Sequence, residues 1–323
     1  MNIELYTKAH KTLWDEFICK SKNATFLLLR NYMDYHQERF RDYSLLVYDQ
    51  NQLIALLPAN LEHGVLHSHQ GLTYGGFITN TEMTAPKMLN VFQTIIKFLI
   101  QQGIKQLCYK TIPSIYYKVS ADEDKYALFL SGATLYRRDL LTVVTSSKLV
   151  KIQQRRQRMI NKAQKNNLTI KEVKDFSGFW EILTENLLSK HQAKPVHSIT
   201  EIELLHSHFP QHIRLFACFN ETSMLAGVVI YETEQVAHAQ YIAATDQGRM
   251  IGALDLLFFT LLQDVYKTKA YFDFGISNEQ NGSVLNQGLI DFKEGFGGRA
   301  LAHDYYQLEL TDDALTQLDQ ARL

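Results

Sequence analysis

The side chains best placed for chemistry lie in the second half of the sequence. Lys293 stands in Ile290-Asp-Phe-Lys-Glu-Gly-Phe-Gly-Gly298, at the end of a helical pattern. An ammonium there can stabilise a tetrahedral oxyanion or hold a phosphate, or it can satisfy the carbonyls and dipole of its own helix end. Phe292, its neighbour, reads as core before it reads as a platform for a ligand. Asp273 ends the strand Ala270-Tyr-Phe-Asp-Phe274, where it can orient an amine, accept its proton, or simply be solvated. His191 and His197 flank Pro195 in the loop 190–198, and can act as acid, base or acceptor ligand, or belong to a solvated connector. Residues 148–174 carry nine lysines and arginines against one acid, Glu172. A helix bearing Arg155, Arg156, Arg158, Lys162 and Lys165 can bind phosphate on a tRNA, a nucleotide-linked sugar or an anionic lipid, or present a solvated face.

Metal chemistry has no such support. His67 and His69 share a strand face, but H-E-x-x-H is absent and no carboxylate lies in register. Cys19, Cys108 and Cys218 form no C-x-x-C pair. No metal site and no disulfide framework is expected, and a reducing cytoplasm fits this cysteine usage. The N-terminus lacks the layout of a signal peptide, and no stretch is long and apolar enough to span a membrane. The expectation is a soluble, cytoplasmic protein.

The elements that must position these residues follow from an internal repeat. The length of 323 residues suggests two domains, and 46% hydrophobic with 21% charged residues can fill their cores. That composition excludes a disordered chain, a collagen-like fibre and a coiled-coil rod. Trp14 and Trp180, the only tryptophans, are 166 apart and each precedes an acid. The hairpin pattern Ser44–Tyr48 and Leu53–Leu57 returns as Leu215–Phe219 and Met224–Ile230, and Tyr74 returns as Tyr241, each closing a third strand. A helix over 85–102 returns over 252–267, each followed by a strand, and Gly132 returns as Gly298, each opening a final strand pair. Each half reads strand, helix, helix, three antiparallel strands, helix, strand, helix, two strands. The fold class is thus α/β of the mixed α+β kind, in two tandem domains whose sheets are mostly antiparallel and flanked by helices. The boundary falls near residue 146, giving domains 1–145 and 146–323, the second carrying most of the site. Strict strand–helix alternation is missing, as are G-x-G-x-x-G and the P-loop pattern, so a doubly wound nucleotide fold is excluded. At the repeat offset Lys293 faces Ala127, so only the second copy carries that charge.

This element order, run twice, resembles the GNAT acyltransferase fold, in the tandem form of the Fem-type peptidyltransferases and related N-acyltransferases. Tyr271-Phe-Asp-Phe-Gly275 resembles the family's strand ending in an acid and glycine. Phe292-Lys-Glu-Gly-Phe-Gly297 resembles its F-K-x-x-F-G helix end, and Arg155-Arg-Gln-Arg-Met-Ile-Asn-Lys-Ala163 its basic helix opening the second domain. The resemblance implies transfer of an acyl or aminoacyl group to an amine, with Lys293 near the transferred group. It places Tyr241 in the strand where such enzymes splay and expose backbone N–H groups, although a packed aromatic explains that residue as well. Of Tyr305 and Tyr306, on opposite faces of the last strand, one can reach the cleft. In CoA users a [QR]-x-x-G-x-[GA] turn cradles pyrophosphate at a helix N-terminus. Arg249 and Gly252 match it, and Leu254 does not.

The expected function is therefore an N-acyltransferase, with Lys293, Asp273 and Tyr241 catalytic. Phe292, His191, His197, Arg155, Arg158 and Tyr305 would bind substrate, and Arg249 and Gly252 would bind the donor. No permanent cofactor is expected. The donor is a thioester, acyl-CoA or acyl-carrier, or an aminoacyl-tRNA, and the acceptor is a small molecule or cell-envelope precursor bearing an amine. The chain would act as a monomer or homodimer. The alternative is a non-catalytic module of the same fold that docks RNA or another polyanion.

Overall fold

The computed structural model describes residues 1–146 and 150–320, with the side chains of Lys190 and His191 outside that description. The chain forms two compact units, Met1–Asp139 with Ala302–Leu323, and Leu140–Leu301. Unit 1 opens with β1 (Asn2–Leu5), α1 (Lys11–Lys20) and α2 (Arg30–Met33), then the hairpin β2 (Leu45–Asp49) and β3 (Gln52–Leu57). Gln50 and Asn51 take the left-handed conformation at the tip, at φ 46° and 65°, as a two-residue hairpin turn requires. Short strands β4 (Asn60–Glu62), β5 (Val65–His67) and β6 (Ile78–Thr79) follow. Next come α3 (Ala85–Gln101), β7 (Gln106–Lys110), α4 (Glu123–Leu130) and β8 (Thr134–Thr145). Pro86 sits in the first turn of α3, and the apolar period buries Leu89, Phe92, Ile96 and Leu99 as read from the sequence.

The third strand expected to end at Tyr74 does not form. Tyr74 lies in irregular chain between β5 and β6, its hydroxyl 2.7 Å from Thr25 Oγ1. Residues 68–77 instead tie to the end of β7: Tyr109 accepts from the Phe77 N–H at 2.6 Å, and the Lys110 N–H donates to Ser68 Oγ at 2.7 Å.

Unit 2 continues with α5 (Gln154–Lys165), β9 (Thr169–Val173), α6 (Ser177–His191) and α7 (Ile199–His208). The strands β10 (Ile213–Phe219), β11 (Met224–Glu232) and β12 (Val236–Ala244) form an antiparallel meander. After α8 (Asp246–Ile251) and α9 (Ala253–Thr260), β13 (Tyr271–Ile276) lies parallel to β12 on one side and antiparallel to β8 on the other. A small hairpin, β14 (Asn278–Glu279) and β15 (Val284–Leu285), leads into α10 (Gln287–Glu294). The α9 segment is apolar all round because it is buried: Leu257, Phe258 and Leu261 join Val228, Ile230, Phe272 and Phe274 in one cluster.

The chain ends with β16 (Arg299–Glu309) and α11 (Asp312–Gln320), which from Ala302 onward belong to unit 1. Each half ends in one strand, where a pair was expected. The reason is local: Thr134–Thr145 and Arg299–Glu309 contain no Gly, Pro, Asn or Ser, so each runs on as one long strand. The last strand of the first half pairs with β13 of unit 2, and the last strand of the second half pairs with β7 of unit 1, Tyr305 opposite Lys110. The units therefore differ from contiguous halves 1–145 and 146–323. Among the described residues no helix is long and apolar enough to cross a membrane.

Leu308, Leu310, Ala314 and Leu318, all from the chain's end, are part of the unit 1 core. Leu308→Ala should cost about 2–5 kcal/mol in urea denaturation. In hydrogen exchange, Leu107 and Tyr109 of β7 should lose protection while β10 and β11 keep theirs; the opposite pattern would refute this assignment of the C-terminal segment.

Candidate active site

The site of unit 2 begins where two parallel strands stop pairing. Val236, Ala237 and His238 of β12 pair with Tyr271, Phe272 and Asp273 of β13, and no pair follows. Each strand bulges just beyond that point. On β12, Val229 pairs with Tyr241 and Ile230 with Ala239, so Gln240 is the extra residue. On β13, Asp273 pairs with Val143 and Ile276 with Leu141, so Phe274 and Gly275 face Thr142 alone. A bulge bends its strand and adds twist, so bulges on the outer edge of each partner turn the two strands apart. Three buried polar atoms at these positions, Thr142 Oγ1, Gln240 Oε1 and Ser277 Oγ, have no hydrogen-bond partner. Such atoms are rare in native interiors and mark places where a polar ligand gains contacts.

Asp273 and Lys293 meet around this opening. Asp273 is 1% exposed, where a solvated strand end was the alternative expectation. Its Oδ1 accepts the Gly275 N–H at 2.7 Å, and its Oδ2 lies 2.9 Å from His238 Nδ1. Lys293 is equally buried, and its Nζ donates to the carbonyls of Gly275 at 3.0 Å and Ile276 at 2.5 Å. It thus caps the end of β13, not its own helix. Burial pulls its pKa down to about 8, against the opposing attraction of Asp273. Two of its three N–H donors are used, leaving one for a substrate oxygen. Gly275 sits at φ +73°, and a Cβ there would stand 3.3 Å from His238 Cε1. The sequence reading missed His238. Only the structure marks it: it lies two residues before the bulge and in register with Asp273.

The other expected site residues divide. Tyr241 and His197 come together: the Tyr241 hydroxyl lies 2.5 Å from His197 Nδ1 and accepts the His197 N–H at 3.4 Å. Trp180 donates from Nε1 to the His197 carbonyl at 3.1 Å, and its ring meets Tyr241 edge-on. His197 is therefore a buried staple holding the loop after α6, not a solvated one. His191 is the last residue of α6, and its side chain lies outside the described residues. A groove of about 880 Å³ runs beside Trp180, Thr184, Leu188 and Ile199, with Glu181 and Glu185 on its wall. Phe292 is half-buried against Phe258 and Phe296, under the Arg156 guanidinium at 5.0 Å. Tyr305 lies in unit 1, buried with Arg137 4.5 Å over its ring.

Of the two residues expected to bind the donor, Gly252 is packed by α5. Gly252, at φ +83°, caps α9, and a Cβ there would lie 2.5 Å from the Met159 carbonyl oxygen of α5. Asp255 occupies the first turn of α9, buried and paired with Arg156 at 2.7 Å. At this helix end Gly252 thus packs against the Met159 carbonyl, and the Asp255 carboxylate is answered by Arg156. Arg249 bonds Asn186 Oδ1 at 2.7 Å and Asp246 Oδ1 at 2.8 Å. Arg155 donates to the Asp291 carbonyl at 2.8 Å, while Arg158 is exposed. Among the described residues no group of three or more His, Cys, Asp or Glu side chains is placed to hold a metal ion.

No protein-family model matches the chain, and no curated protein matches its sequence. Solved structures do match its fold. FemX is 11% identical, with a TM-score of 0.70 over 98% of this chain and 99% of that one. The C-terminal domain of a putative lysylphosphatidylglycerol synthetase from Agrobacterium fabrum is 10% identical, with a TM-score of 0.61 over 98% of this chain and 97% of that one. A tandem GNAT protein from the clavulanic acid biosynthesis pathway is 8% identical, at 0.51 over 96% and 99%. The chain has the mixed α+β, GNAT-like fold, with Fem-type structural neighbours.

The buried ammonium has a consequence for stability. Between pH 8, near the folded pKa of Lys293, and its ordinary value of 10.5, the unfolded chain binds a proton that the folded chain has lost. Stability should therefore rise across that window, by up to about 3 kcal/mol relative to Lys293→Met. Chemical denaturation of both proteins from pH 7 to 10 checks this; parallel curves would refute it.

Proposed function

We propose that unit 2 is an acyltransferase centre, passing an acyl or aminoacyl group to an amine at the point where β12 and β13 part. The observation that carries this reading is the buried Lys293, holding two carbonyls at that opening with one N–H donor left over. A fixed ammonium in a dry site stabilises the oxyanion of a tetrahedral intermediate far better than water does. The orphaned polar atoms of Thr142 and Gln240 lie at the two bulges and that of Ser277 just past β13, and they support the same reading. The fold shared with FemX and the lysylphosphatidylglycerol synthetase domain supports the same chemistry.

The donor we favour is an aminoacyl ester on tRNA. Met159 and Asp255 close the helix end at which CoA would bind, whereas exposed Arg158 on α5 can meet a phosphate. The acceptor we place in the groove along α6, where Glu181 and Glu185 attract an amine and Trp180 and Leu188 receive an apolar body. A cell-envelope precursor carrying a primary amine fits that description, reached from the cytoplasm.

The test is transfer from a mixture of labelled aminoacyl-tRNAs, with acyl-CoA and acyl-carrier thioesters in parallel, to a panel of amine acceptors. The wild-type protein should turn over an aminoacyl-tRNA, and Lys293→Ala should lower that rate roughly 10²–10³-fold with an unchanged circular dichroism spectrum. A wild-type rate in the variant sinks the assignment. Salt-sensitive RNA binding without turnover of any donor would favour the non-catalytic module.

A further inference from the structure

His238 stands at the last paired position before β12 and β13 separate, opposite Asp273. Its Nδ1 faces Asp273 Oδ2 at 2.9 Å, and a carboxylate there takes the Nδ1 proton and fixes the tautomer. Nε2 is then the unprotonated, basic nitrogen. It makes no hydrogen bond among the described residues, and it is not one of the buried polar atoms left without a partner, so it keeps contact with solvent. The side chain as a whole is 11% exposed. Asp273, by contrast, has both oxygens engaged and is 1% exposed, so it cannot itself meet a substrate amine. The other groups facing the imidazole are Tyr231, its register partner on β11, and Lys293 of α10, which acts on it through Asp273.

We propose that His238 Nε2 is the proton acceptor for the attacking amine, with Asp273 as its positioning residue. This rests on the acyl-transfer reading above. The amine, entering as the free base, attacks the ester carbonyl carbon, and a C–N bond forms as the carbonyl π electrons move onto oxygen. The surplus amine proton passes to Nε2, giving an imidazolium that Asp273 stabilises. Collapse of the intermediate breaks the C–O bond to the ribose, and the imidazolium returns its proton to the leaving oxygen. The balance closes without an oxidant, a metal or a further co-reactant.

Two measurements test this, and they fail separately. The first needs no substrate: long-range ¹H–¹⁵N spectra of the full-length protein labelled in histidine, with His238→Gln identifying the resonance. The proposal requires the Nδ1–H tautomer in the neutral state; an Nε2–H tautomer overturns it, whatever the enzyme turns over. The second uses the aminoacyl-tRNA found active in the panel above. His238→Gln should lower kcat by roughly 10²–10⁴-fold, leave KM within a few-fold and remove the acid limb of the pH–rate profile. An acid limb that persists in the variant overturns the proposal even if kcat falls, because a purely structural role would not erase it. Should His238→Gln fail to fold, Asp273→Asn, which keeps the imidazole but removes its anionic partner, should move that limb to lower pH; an unmoved limb overturns the proposal.

Discussion

In the interior of unit 2 a carboxylate and an ammonium are both withdrawn from water, and each charge must be answered by partners of opposite sense. The answers converge on one peptide. Gly275 donates its N–H to Asp273 and offers its carbonyl to Lys293, so the two charges grip the same residue from opposite ends. That grip sets the backbone at φ +73°, a conformation that a side chain would strain and that brings the chain against His238. With Gly275 held, β13 cannot continue alongside β12. Removing either charge would leave the other buried and uncompensated, which costs more than the pair contributes together. The opening between the strands is therefore a product of electrostatics as much as of strand bulges.

Unit 1 shows what the same plan becomes without that grip. Ala127 occupies the place of Lys293 and is wholly buried in an apolar core. Its parallel pair is β5 and β7, and past it the chain 68–77 folds back onto the strand end. The Lys110 ammonium, whose pKa burial also pulls to about 8, donates to the Leu72 and His69 carbonyls of that same segment. Tyr109 is locked between the Phe77 N–H and buried Asp124. The strand end in unit 1 is thus closed by the chain's own hydrogen bonds, where β12 and β13 of unit 2 part.

Much of this was legible from residue pattern. The hairpin turn at Gln50 and Asn51, the amphipathic period of α3 and the all-round apolarity of α9 each translate a local rule into an element, and local rules survive duplication. The strand exchange did not show itself, because pairing partners are chosen by tertiary context and a repeat is the same sequence whichever sheet receives it. Lys293 and Asp273 stood out because both lie in segments that resemble family motifs, and Lys293 faces an uncharged Ala127 at the repeat offset. His238 did not, since an imidazole between Ala237 and Ala239 reads as strand filler until its register with Asp273 is known. His197 went the other way: proline and polar neighbours suggested a solvated loop, but Trp180 and Tyr241, distant in sequence, bury it.

The basic helix is the feature whose meaning the structure narrows most. A net charge of −1 conceals the cluster of lysines and arginines at 148–174, and such a cluster could in principle dock a polyanion by itself. On α5, however, Arg156 answers Asp255, and Arg155 and Lys162 donate to the carbonyls of Asp291 and Met250. These contacts fasten α5 over α8, α9 and α10, which is also what brings the Met159 carbonyl against Gly252. Arg158 and Lys165 remain exposed, seven residues apart and so on one face, about 10 Å along the axis. Three of the five cations on α5 are thus spent on the protein's own carboxylate and carbonyls, so the basic run serves first to fasten unit 2.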